Sequence, residues 1–328
     1  MTEFTLESAR RLSESLPPIE FGTPSPDSEA VDRELLDRYL AHYSLDQLNT
    51  DWPVSHRLGS YNSLHYRLIC QYFSVPDAHR KGVVVMVHGY YDHVGLFRHA
   101  IEYCLSLGYS VLTFDLPGHG LSSGDPAGIA SFDHYSQGLV DCLEVARNND
   151  IEGPWHVLAQ STGAAAVVNC LLNSSRFPLA DLQKIVLLAP LLRPVDWRSG
   201  LWKFQVMRWF VKQTKRGFAT NSHDEAFLQF ILERDPLQAR YLKVDWVRSL
   251  KIYLQRFESA ASSDIPLHIV QGTEDTTVDW RYNLPRLTEK FPAARTHVIE
   301  GARHHLVNEA AEYRERIFAI VGEILGSG

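Results

Sequence analysis

Val83-Val84-Val85-Met86-Val87 is an apolar run without a polar break. A strand with one wet face alternates apolar and polar residues. An unbroken run suits a strand covered on both faces. The run begins a repeating pattern. A helix-like stretch at about 96–107 follows it, then a strand at 110–114, a helix at 133–147, a strand at 155–160 and a helix at 162–173. Lys184-Ile185-Val186-Leu187-Leu188 supplies another buried strand. The pattern resumes with strands at 267–270 and 296–299 and helices at about 281–291 and 307–324. Strand alternating with helix predicts an α/β fold, a mostly parallel central sheet flanked by helices.

Two regions stand outside this alternation. Residues 1–50 read as an N-terminal leader and helix. The first 27 residues are polar, contain Pro17-Pro18 and Pro24-Ser25-Pro26, and are expected to pack poorly. Asp27-Ser28 is placed to cap a helix running to about Tyr43, with Val31, Leu35 and Tyr39 on one face. Strands near 53–60 and 65–74 follow, joined by a hairpin turn at Asn62-Ser63. Residues 194–263 break the pattern a second time. They read as helical throughout and hold Trp197, Trp202, Trp209 and Trp246, four of the seven tryptophans. An insertion of this size is expected to form a cap over the carboxyl ends of the strands, where open parallel sheets bind ligands. The core is then 51–193 together with 264–328.

The chain has 328 residues, 45% of them hydrophobic, enough for a large core. A formal net charge of -7 disfavours nucleic acid as a partner. Cys70, Cys104, Cys142 and Cys170 lack paired metal-ligand spacing and sit among apolar neighbours, so they read as buried free thiols. No signal-peptide pattern opens the sequence, and no apolar run reaches membrane-spanning length. The expectation is a cytoplasmic protein without metal or organic cofactor.

The chemistry is concentrated in Ala159-Gln160-Ser161-Thr162-Gly163. A short apolar strand ends at a serine boxed by small residues, and an alanine-rich helix follows at once. A sharp strand-to-helix turn crowds its neighbours, so only tiny side chains fit two before and two after the serine. The bend lifts the hydroxyl out of the sheet at a helix N-terminus that favours negative charge. A helix N-cap serine would look similar at this one segment.

A serine nucleophile needs a base, and the base needs an orienting group. In this fold class the order is serine, acid, histidine. Asp275 follows the strand at 267–270, and His304 follows the strand at 296–299, so both fall at the same edge as Ser161. Glu274, Asp279 and Asp196 are rivals for the acid, and His305 is the rival base, expected to pack or to bind water. Two backbone amides must hold the oxyanion. Thr162, next to the nucleophile, supplies one. Tyr90, in the loop His88-Gly89-Tyr90-Tyr91-Asp92-His93-Val94-Gly95, supplies the other. His88, Gly89 and Tyr91 are expected to line the substrate site. His119, in Asp115-Leu116-Pro117-Gly118-His119-Gly120, reads as part of a structural turn.

These landmarks fall in order over about 80–310: His88-Gly89-x-x-Asp92-His93-x-Gly95, Asp115 to Gly124, Gln160-Ser161-Thr162-Gly163, Asp235-Pro236-Leu237, Gly272-Thr273-Glu274-Asp275 and Glu300-Gly301-Ala302-Arg303-His304. Together they resemble the α/β-hydrolases of the monoacylglycerol lipase and lysophospholipase group, a serine aminopeptidase S33-type hydrolase. The resemblance implies the α/β-hydrolase fold and ester hydrolysis. It implies Ser161, Asp275 and His304 as the triad and Tyr90 and Thr162 as oxyanion donors. Ala159 departs from the group's first elbow glycine, and the bulky Tyr90-Tyr91 from its small residues.

In 201–212 only Gln205, Arg208 and Lys212 form a polar stripe, and seven Lys or Arg residues lie between Arg193 and Arg216. The charges read as solvated and the helix as a cap packed on the core, with Trp202 and Trp209 facing an apolar acyl pocket. Peripheral contact with an anionic lipid surface is the other reading. The expected substrate is a small acyl ester such as a monoacylglycerol or lysophospholipid. An aminopeptidase-like hydrolase, an acyltransferase and a non-enzymatic binding protein remain as alternatives. The first of these requires a pocket acid to bind a free N-terminus.

Overall fold

The computed structural model describes residues 4–21, 32–173, 181–207 and 210–327, with side chains described outside 203–209. Its centre is an eight-stranded sheet among the described residues, in the order β1-β2-β4-β3-β5-β6-β9-β10. The strands are β1 (Ser55–Ser63), β2 (Tyr66–Ser74), β3 (Gly82–Val87), β4 (Tyr109–Phe114), β5 (Trp155–Gln160), β6 (Leu182–Leu188), β9 (His268–Gly272) and β10 (Arg295–Ile299). From β4 to β10 every neighbouring pair is parallel. β1 and β2 form an antiparallel hairpin added at the β4 edge. The hairpin turn falls at Leu64-His65, two residues after the expected Asn62-Ser63, with Leu64 at φ 53°. Full pairing of Asn62 and Ser63 with β2 extends the strand past the polar residues that mimic a turn.

Every residue of β3, β4 and β5 is buried, as a sheet covered on both sides requires. Successive side chains alternate between faces. Val83, Val85 and Val87 join one core with Leu139, Val167 and Leu250, from α4 (Phe132–Arg147), α5 (Thr162–Asn173) and α8 (Val244–Ser259). Val84 and Met86 join the opposite core with Leu12, Tyr39, Ile101 and Val321. These come from α1 (Leu6–Ser15), α2 (Arg33–His42), α3 (Arg98–Ser106) and α10 (Ala311–Gly326). α9 (Trp280–Lys290) precedes β10.

The N-terminal segment corrects the expectation of a loose leader. Thr5 caps α1, and Phe4, Ala9, Leu12, Leu16 and Ile19 are buried. α2 starts later than expected, capped by Asp32, and it buries Leu35 and Tyr39. Val31 and the expected cap Asp27-Ser28 lie outside the described residues.

Residues 194–263 are not helical throughout. α6 (Trp197–Met207), α7 (Glu225–Gln229) and α8 are interrupted by a two-stranded ribbon of β7 (Gln213–Lys215) and β8 (Tyr241–Lys243). α8 packs Trp246, Leu250, Tyr253 and Phe257 into the core beside α4 and α5. The four cysteines are free and buried. Among the described residues no helix is long and apolar enough to cross a membrane.

Candidate active site

The connections leave β3 toward β4 on one side and continue from β5 to β6 on the other. Such a reversal opens a crevice beyond the carboxyl ends of the strands. Ser161 sits there, between β5 and α5. Its φ of 52° is left-handed, a conformation rare for a residue with a side chain. The turn is held by the Ser161 amide donating to the Leu188 carbonyl (2.9 Å) and by Ala165 donating to the Ser161 carbonyl (3.0 Å). Gly163 is forced by contact. A Cβ there would lie 2.3 Å from the Val87 carbonyl oxygen and 2.5 Å from that of His88. A glycine therefore lets α5 press against the end of β3.

Side chains 143 positions apart meet at the serine. His304 Nε2 lies 3.0 Å from Ser161 Oγ, and His304 Nδ1 lies 2.8 Å from Asp275 Oδ2. Asp275 Oδ1 accepts from the amides of Thr277 (2.8 Å) and Val278 (3.0 Å), and Oδ2 from Gln271 Nε2 (3.0 Å). Burial pushes the Asp275 carboxyl up, but the His304 ring and these hydrogen bonds outweigh it and hold the group below its ordinary value. For His304, burial pulls down while the Asp275 charge and hydrogen bond raise it, with a net shift above 6.5. Two of the rival acids have partners elsewhere, and the third is exposed. Asp279 Oδ2 pairs with Arg193 (2.7 Å), Glu274 faces His223 at 3.6 Å, and Asp196 is exposed.

The loop after β3 lies against the serine. A Cβ on Gly89 would sit 3.3 Å from Ser161 Cβ and 2.7 Å from Asp92 Oδ2. The Asp92 amide donates to the Gly89 carbonyl (3.3 Å), which closes a turn with Tyr90 and Tyr91 at its centre and Tyr91 at φ 69°. Thr162 opens α5, where first-turn amides lack intrahelical partners. The Tyr90 ring stacks on Trp246 (4.0 Å between centroids), and its hydroxyl donates to the Ala127 carbonyl (2.7 Å). That hydroxyl is therefore committed away from a reacting oxygen.

A cavity of ≈ 180 Å³ opens beside Ser161 and His304, lined also by Tyr90, Tyr91, Thr162 and Trp246. Two expectations for the substrate site, His88 and Trp202, are corrected. His88 is fully buried and turned away: Nδ1 meets the Gly89 carbonyl oxygen (2.8 Å), and Nε2 accepts from the Leu116 amide (2.9 Å). Burial accordingly depresses its pKa to about 3. Trp202 is 72% exposed and does not line the cavity, and Trp209 lies outside the described residues. His119 is likewise a turn residue, with Nδ1 3.0 Å from the Pro117 carbonyl oxygen and burial lowering its pKa to about 4.

His305, the rival base, lines the cavity together with Asp92. His305 Nε2 bonds Asp92 Oδ1 (3.0 Å), which ties the loop after β10 to the loop after β3. Asp235 is buried at a junction. It accepts from the Tyr43 hydroxyl (2.8 Å) and Gln238 Nε2 (2.9 Å), and its Oδ2 lies 3.0 Å from His93 Nε2. Its signal was present in Asp235-Pro236-Leu237, but its partners come from 142 and 192 positions away. Arg216 and Gln238 also reach the cavity. Among the described residues no cluster of His, Cys, Asp or Glu could hold a metal ion.

A sequence model of the family described as serine aminopeptidase, S33 matches residues 78–311. A monoacylglycerol lipase from Mycolicibacterium smegmatis is 28% identical over 37% of this chain, a match that spans only 42% of that protein. Phospholipase YtpA from Bacillus subtilis is 28% identical over 72% of this chain and 92% of its own. Among solved structures, a soluble variant of monoglyceride lipase from Saccharomyces cerevisiae, in complex with a substrate analogue, superposes with a TM-score of 0.72. That likeness is at 16% identity and covers 85% of this chain and 97% of that one. The architecture is that of an α/β-hydrolase.

Proposed function

The chain belongs to the serine aminopeptidase S33 family, and from that premise we propose that it is a serine carboxylic ester hydrolase working through an acyl-enzyme. Ser161 attacks the ester carbonyl carbon as His304 takes the hydroxyl proton. Asp275 holds the imidazole with Nε2 toward the serine and stabilises the imidazolium. The amides of Tyr90 and Thr162 receive the oxyanion. His304 returns the proton to the leaving alcohol, then activates water to release the acid. Residues 194–263 act as the cap over this site. The observation that carries the reading is the continuous hydrogen-bonded line from Ser161 Oγ through His304 to Asp275, with distances of 3.0 and 2.8 Å.

The substrate class is a small acyl ester of monoacylglycerol or lysophospholipid type. At ≈ 180 Å³ the cavity is close to the ~150 Å³ at which an engineered apolar cavity accepts benzene. A short acyl group fits it better than a long one. An aminopeptidase reading lacks support, because the acid in the cavity wall, Asp92, is already bonded to His305.

Nitrophenyl esters from acetyl to palmitoyl, with an aminoacyl anilide beside them, test this. Acetyl and butyryl esters are expected to be hydrolysed at least about tenfold faster than palmitoyl. Ser161→Ala is expected to lower turnover by about 10³-fold or more. Undiminished turnover in the variant would remove Ser161 as nucleophile, and anilide cleavage without ester cleavage would move the protein to the peptidase class.

A further inference from the structure

The cavity wall contains a cation that ester hydrolysis as described does not use. Arg216 directly follows β7, and its amide donates to the Arg240 carbonyl (2.9 Å), which continues the ribbon by one step. The guanidinium lies over the Tyr91 ring, 3.7 Å from its centroid, and over Phe218 at 4.5 Å. Its Nη1 donates to Gln238 Oε1 (2.7 Å) and toward the Ala239 carbonyl (3.4 Å). Gln238 is fixed in turn, since its Nε2 donates to the Tyr91 carbonyl (3.0 Å) and to Asp235 (2.9 Å). Packing and hydrogen bonding therefore hold the fork in one orientation, in the lining of the cavity that also contains Ser161 and His304.

What the fork lacks is a directly paired carboxylate, although the Asp92 charge acts on it. Among the described residues no carboxylate makes an ion pair with Arg216, and the acid of the cavity, Asp92, is bonded to His305. Burial lowers the guanidinium pKa, but an arginine stays charged in a protein. Arg216 is half-buried, and an anion supplied by a ligand would complete the direct pairing that the fork does not have within the chain. Guanidinium also matches carboxylate and phosphate in shape, through parallel N–H donors.

We infer that Arg216 is a specificity-determining residue, and that the ester favoured by this site carries a phosphate or carboxylate close to the bond that is cut. The inference rests on the ester-hydrolase reading above. An anion on the acyl chain and an anion on the alcohol would both satisfy the guanidinium, and the two sources can be separated.

Two matched pairs are compared by kcat/KM in the full-length protein. Nitrophenyl hemiglutarate against nitrophenyl butyrate places the charge on the acyl side. 1-Butyrylglycerol 3-phosphate against 1-butyrylglycerol places it on the alcohol side. The wild type is expected to favour the anionic member of one pair by about 10- to 100-fold, the range of a hydrogen bond to a charged group. Arg216→Gln is expected to bring that ratio to about one, and Arg216→Lys to retain part of it. A wild-type ratio of one or less in both pairs overturns the inference whether or not a variant folds, and so does an undiminished ratio in Arg216→Gln. Hydrolysis of the neutral esters without anionic preference leaves the ester-hydrolase reading standing and sinks this inference alone. No hydrolysis of any of the four esters sinks the earlier reading as well.

Discussion

In the proposed reaction His304 concentrates the chemistry in one ring, and its surroundings set the pH at which it would work. It must be neutral to accept the Ser161 proton. Asp275 raises its pKa above 6.5 against the opposing pull of burial. Activity is therefore expected to fall as pH drops through a midpoint above 6.5. In Asp275→Asn the attraction is gone and burial dominates, so the midpoint moves lower while kcat falls by about 10⁴-fold. A kcat/KM profile from pH 5 to 9 for both forms checks this. An acid limb at the same pH in both would show that Asp275 does not govern the ring. At this scale the sequence spoke clearly for Ser161, Asp275 and His304, because each follows an apolar strand. It was silent on Arg216, one of seven basic residues in a stretch read as solvated. No local pattern tells a charge that faces a cavity from one that faces water.

The element that sets the site's geometry is the junction of β5 with α5. Gly163 brings the helix against the end of β3, the strand whose following loop holds Tyr90. A methyl group at 163 would meet backbone oxygens, which cannot rotate aside. Gly163→Ala is expected to destabilise the fold by about 1–3 kcal/mol and to lower turnover as well, since the loop must shift. Denaturant midpoints and ester kinetics on the same preparation test this, and an unchanged midpoint would mean the contact relaxes freely. Buried strands and the two helices after them were placed within a few residues from periodicity alone. The β7–β8 ribbon was not. Three-residue strands carry too few alternations to register as a pattern, and their pairing joins residues about 28 positions apart.

Across the whole molecule, the two faces of the sheet are closed by elements from distant parts of the chain. α1 sits on the same face as α3 and α10, and Leu12 is fully buried. Leu12→Ala is expected to cost about 2–5 kcal/mol, measured by equilibrium unfolding. A cost below about 0.5 kcal/mol would return the N-terminal segment to the status of a loose leader. Its prolines and polar residues hid this role, because one buried stripe on a ten-residue helix is a weak signal beside them. The sequence by itself determined the alternation of strand and helix, the sharp turn at Ser161 and the placing of Asp275 and His304 in loops after strands. These depend on residues adjacent in the chain and on apolar periods that any reader can count. Only the tertiary structure decided that Trp202 faces solvent, that His88 faces the interior, and that Arg216 lines the same cavity as the serine. Orientation toward a shared cavity is a property of several separated segments at once, and no single one of them encodes it.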